Sequence, residues 1–133
     1  MSITKINSLG ITDGTIVNGD INASAAIDST KLTGVNDAKA WVQFNGTGTV
    51  AIRGSFNVSS ITDNATGKYT MNFTNSLTDA NYSTVGMTQE DTGGGARIIS
   101  GTGTPTAAAR PFNTSNIAGS DQDHLYINLA VFR

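Results

Sequence analysis

The chain has 133 residues, with eight Lys and Arg against ten Asp and Glu, and no cysteine. Nineteen Thr, twelve Ser, thirteen Asn and fifteen Gly make up 44% of it and charged residues only 14%, against about 25% in an average soluble domain. This profile excludes a helical protein, because strong helix formers are scarce; it also excludes disulfide and thiolate chemistry and any electrostatic footprint for nucleic acid.

Residues 1–34 contain no aromatic residue and no alternating run. Single aliphatic residues recur instead: Ile3, Ile6, Leu9, Ile11, Ile16, Ile21, Ile27 and Leu32. From Ile11 onward their spacing is about five, which fits neither a helix nor a strand. Asp13-Gly14 and Asn18-Gly19 are turn formers between them. One such chain has no second face on which to bury its isoleucines, so ordering it costs about 1–2 kcal/mol per residue without compensation. Either the segment is a flexible tail or several copies wrap together around a common axis, and the regular isoleucines favour the second. The start lacks a basic stretch followed by an apolar run, so no signal peptide is expected. No apolar window is long enough for a membrane helix.

Residues 39–133 read as short strands. Thr49 to Ser59 alternates with Val50, Ile52, Phe56 and Val58 on one face and Ala51, Arg53, Ser55 and Asn57 on the other, the period of a half-buried strand. Lys68 to Thr74 repeats the pattern with Tyr69, Met71 and Phe73 inward. The loop Asp63-Asn64-Ala65-Thr66-Gly67 joins the two runs as a hairpin. Further strands are predicted near 40–45, 81–90, 96–101, 111–117 and 123–132, seven in all. That spacing predicts an all-β, small antiparallel sandwich, jelly-roll-like, over residues 39–133. In the last strand Leu125, Ile127, Leu129 and Val131 form an aliphatic face. The opposite face carries His124, Tyr126, Ala130 and Phe132, so it too needs a cover, from a loop or from a second subunit.

Equipment for catalysis is sparse. His124 is the only histidine and no Gly-x-Ser-x-Gly elbow accompanies it. Most of the nine Asp stand beside turn formers, which explains them without a glycosidase carboxylate pair. Asp121-Gln122-Asp123 and Glu90-Asp91 suit a hard cation but lack an EF-hand loop; no metal site or cofactor is expected. Gly46-Thr47-Gly48 and Gly101-Thr102-Gly103 precede no predicted helix, so neither is a phosphate cradle. Gly93-Gly94-Gly95 reads as a hairpin tip, with Arg97 beside it as the residue to meet an anionic receptor. Trp41, Phe44 and Tyr82 suit either a carbohydrate platform or the core, and a small sandwich favours the core.

The segments Ala38-Lys39-Ala40-Trp41-Val42-Gln43-Phe44-Asn45-Gly46-Thr47-Gly48, Ile52 to Phe73, Asp79-Ala80-Asn81-Tyr82 and Val131-Phe132-Arg133 resemble a domain of tailed-bacteriophage fibre proteins, especially the aquatic, cyanophage-like ones. The leader Ile11 to Asn22 is similar to the repeats that precede such domains. The resemblance covers nearly the whole chain. It implies a homotrimeric virion fibre with a thin N-terminal shaft, a β-sandwich knob that adheres to a host-surface glycan or protein, and neither enzyme activity nor cofactor. Ile3, Ile6, Ile11, Ile16, Ile21, Ile27, Leu32, Tyr126 and Phe132 are then the oligomer and docking residues, and the leader docks to other virion proteins. Family members are often much longer, so a capsid decoration protein is the alternative to a tail fibre.

Overall fold

The computed structural model describes residues 21, 24–25, 38–89 and 97–133, and the chain divides into two units, Met1–Val35 and Asn36–Arg133. Of the leader aliphatics only Ile21 is among the described residues, and it is exposed; Ile3, Ile6, Ile11, Ile16, Ile27 and Leu32 lie outside them, as do Gly93, Gly94 and Gly95.

The second unit is all-β. Its strands are β1 (Ala38–Asn45), β2 (Ala51–Phe56), β3 (Val58–Ala65), β4 (Lys68–Phe73), β5 (Ser83–Gln89), β6 (Arg97–Gly101), β7 (Ala109–Asn116) and β8 (Tyr126–Phe132). They form two four-stranded antiparallel sheets, β2-β1-β8-β5 and β3-β4-β7-β6, the sandwich that the strand spacing predicts. Hairpins β1–β2, β3–β4 and β6–β7 stay within a sheet, and β8 returns to pair with both β1 and β5.

The inward faces follow the period of two. Ala40, Val42 and Phe44 of β1, Tyr69, Met71 and Phe73 of β4, and Ile127, Leu129 and Val131 of β8 are all buried. Phe44, Tyr69 and Phe112 form an aromatic cluster, with ring centroids 5.2 Å apart for Phe44–Tyr69 and 6.2 Å for Phe44–Phe112. Both contacts are edge-to-face, the arrangement aromatic quadrupoles favour.

Two expectations are corrected at the first alternating run. Residues 49–59 are not one strand: the chain crosses from the first sheet to the second at Asn57, which makes eight strands rather than seven. Asn57 has a φ of 55°, a conformation Asn tolerates better than most residues. Its amide nitrogen donates to the Lys39 and Asn75 carbonyls (3.0 and 3.1 Å), and its Oδ1 accepts from the Asn75 N–H (2.8 Å). Val58 is therefore buried in the second sheet while Ile52 and Phe56 are exposed on the first. The hairpin into β4 consequently belongs to β3, which runs to Ala65 and leaves Thr66-Gly67 as the turn. Gly67 has a φ of 64°, and a Cβ there would lie 2.5 Å from the Thr114 carbonyl oxygen, so only glycine fits.

Candidate functional site on the outer face of the first sheet

Alternation along β1 turns Trp41 and Gln43 outward whenever Ala40, Val42 and Phe44 turn inward. The antiparallel register then sets their neighbours. Trp41 lies opposite Phe56 on β2 and Ala130 on β8, and Ala130 lies opposite Val85 on β5. One row therefore crosses all four strands as Phe56–Trp41–Ala130–Val85. The row beside it is Gly54–Gln43–Asn128–Met87. Phe56, Trp41, Val85 and Met87 are 55%, 42%, 56% and 61% exposed, a concentration of solvated apolar side chains rare on monomers.

The face is dished. A trough of about 620 Å³ is lined by Trp41, Gln43, Arg53, Val85, Met87 and Ala130, among others. The indole of Trp41 lies over Gly54, where a Cβ would sit 3.5 Å from the ring. Gln43 Nε2 donates to Asn128 Oδ1 at 2.8 Å, which fixes both amides. Arg53 is held twice: Nη1 donates to the Leu125 carbonyl at 2.6 Å, and the guanidinium lies 4.3 Å from the Tyr126 ring centroid, a cation–π geometry. The trough thus offers one cation, two tied amides and a continuous apolar row, and among the described residues no carboxylate lines it. Its chemistry is the burial of apolar area.

This placement corrects the assignment of Trp41 to the core. The three aromatics do not form one platform either: Phe44 is in the core, and Tyr82 packs edge-to-face on Phe73 at 5.9 Å. Tyr126 and Phe132 stand on the outer face, each partly buried. Arg97 is the first residue of β6, opposite Asn116, within the strand predicted near 96–101.

The titratable groups are tied up elsewhere. Asp123 Oδ1 accepts from the Gly67 N–H (2.7 Å) and the Tyr69 hydroxyl (2.5 Å). Burial, reinforced by that carboxylate, pushes the Tyr69 phenol far above its ordinary value. Asp121 pairs with Lys68 at 3.3 Å and accepts from Asn113 at 3.2 Å. Asp79 accepts from the Asn81 N–H and pairs with Arg133, which together hold its carboxyl below the usual range. Glu90 and Asp91 lie outside the described residues, and among those described no group of three His, Cys, Asp or Glu is placed to hold a metal. His124 is fully buried just before β8, its carbonyl accepting from the Gly46 N–H at 2.9 Å.

The opposite outer face, on the second sheet, is polar over β3 and β4, while Ile98 of β6 is its exposed aliphatic residue. Thr62 lies opposite Thr70, and Ser60 opposite Asn72. Asn72 Nδ2 donates to Ser60 Oγ (3.0 Å) and Thr62 Oγ1 (2.9 Å), and Asn64 Nδ2 to Thr70 Oγ1 (3.0 Å). Comparison with protein-family models, curated proteins and solved structures finds no match to this chain.

Proposed function

We propose that this chain is the subunit of a homotrimeric, non-enzymatic fibre on a tailed-phage particle. Its leader docks to the virion, its sandwich is the knob, and the outer face of the first sheet packs against sister subunits. The observation that carries this reading is the Phe56–Trp41–Ala130–Val85 row with Met87 beside it. A solvated monomer gains nothing from four large exposed apolar side chains on one sheet face, whereas symmetric oligomers bury such faces. The resemblance of Ala38–Gly48 and Ile52–Phe73 to phage fibres supports the same reading, since these segments build β1 to β4. Host adhesion then falls to the loops at the sandwich ends, and three knobs acting together raise weak contacts by avidity.

Sedimentation of the full chain tests the assembly. The expected mass is three times 13.8 kDa, and the double substitution Trp41→Asp, Met87→Lys should return it to 13.8 kDa with its β circular dichroism retained. A monomeric wild-type chain at micromolar concentration overturns the trimer. Purified protein should also compete with particles for host cells; infection that proceeds undiminished points instead to the capsid-decorating role.

A further inference from the structure

An arginine faces the interior of the sandwich. Arg110 on β7 lies opposite Met71 on β4, and Met71 is fully buried, so the register places the Arg110 side chain on the inner side. No carboxylate among the described residues pairs with it, and its Nε is buried without a hydrogen-bond acceptor. Arg110 as a whole is half-buried, so what lacks a partner is this one N–H, and a buried donor ordinarily has an acceptor.

The side chain borders a cavity of about 70 Å³ between the sheets at the β5–β6 edge, lined by Thr84, Ile99, Gly101, Arg110, Phe112 and Leu129, among others. Gly101 makes room for the guanidinium: a Cβ there would lie 2.7 Å from Arg110 Nη2. The neighbouring Tyr82 hydroxyl is committed to the Thr106 and Ala109 carbonyls, at 3.2 and 3.1 Å. Burial raises the Tyr82 phenol, and the Arg110 charge partly opposes that.

We propose that this cavity is a carboxylate site, with Arg110 as its cationic wall and the acceptor missing from Nε supplied by the ligand. One guanidinium matches a monoanion, whereas a dianion would leave buried charge uncompensated. Its fork matches the planar, two-oxygen geometry of a carboxylate. Ile99, Phe112 and Leu129 form apolar walls suited to the carbon that bears it. The ligand is a small free carboxylate or the carboxylate of a uronic-acid sugar.

The Nε–Hε resonance of Arg110, followed by NMR in the full chain, is the readout. Sodium acetate and sodium glucuronate are titrated separately against sodium chloride at equal ionic strength. A saturable shift with a midpoint of about 1–10 mM, absent in chloride, is expected. Shifts with both ligands assign the site to sugar-borne acids as well, and a shift with acetate alone restricts it to free carboxylates. Arg110→Gln should abolish the acetate-dependent rise in Tm, and Gly101→Ala, which leaves the charge in place, should weaken binding about tenfold. No saturable shift in the wild-type chain with either ligand, or the same shift in chloride, overturns the proposal and leaves the cavity to water.

Discussion

The two outer faces of this sandwich stand on one core and differ in where their large apolar side chains lie. On the second sheet Ser60, Thr62, Asn64, Thr70 and Asn72 bond to one another across the strands. Such a face is content in water. On the first sheet Trp41, Phe56, Val85 and Met87 stand exposed, with polar groups such as Arg53 and the Gln43–Asn128 pair between them. The inner faces report only that a core exists, because any sandwich buries alternate apolar residues. The outer faces are free to differ, and it is this difference on which the proposed subunit contact rests.

The contrast depends first on Asn57, where the chain leaves the first sheet for the second. That corner sends Phe56 to the exposed face and Val58 into the core. Asn57→Val would remove three side-chain hydrogen bonds and place a β-branched residue at positive φ. A loss of about 3 kcal/mol is expected, measured as a fall in the urea midpoint. A loss under about 1 kcal/mol would mean that the corner is set by the flanking strands and not by this side chain.

Tyr69 tests the core that the faces share. Tyr69→Phe leaves the Asp123 carboxylate with the Gly67 N–H but without its phenol donor, a loss of about 2 kcal/mol. The same residue governs alkaline stability. Its phenol ionises near 10.0 when unfolded and is held well above that in the fold, chiefly by burial and then by Asp123. The stability this group contributes is therefore complete below pH 10.0 and falls as pH rises beyond it. Urea midpoints across this range should decline steeply in the wild type and less in Tyr69→Phe; parallel declines would place the alkaline sensitivity elsewhere.

Much of the fold could be read from the sequence because the period of two is strong where a strand is buried on one face. Tyr69, Met71 and Phe73 are such a case, and so are Ile127, Leu129 and Val131. Asn57 hides a change of sheet inside an unbroken alternation, so the pattern ran through 49–59 while the backbone did not. A size argument places Trp41 in the core, whereas its own strand places it outside: Ala40, Val42 and Phe44 occupy the inward register. The apolar row was harder to see, since its members come from β1, β2, β5 and β8 and meet only through pairing registers that no local pattern encodes. Arg110 was hidden for the same reason, because only the pairing with Met71 shows that it faces inward.

The smallest effect is the most direct comparison of the faces. Thr62 is exposed on β3 and accepts one hydrogen bond, from Asn72, which also has Ser60 Oγ as a partner. Thr62→Lys should change stability by no more than about 0.5 kcal/mol and leave the sedimenting mass unaltered. Val85→Lys, equally exposed on β5, should cost the isolated subunit just as little, because no core contact is lost. Its effect should fall on assembly instead, where three ammonium groups would be carried into an apolar contact. Equal masses for the two variants would show that the faces differ in composition without differing in use.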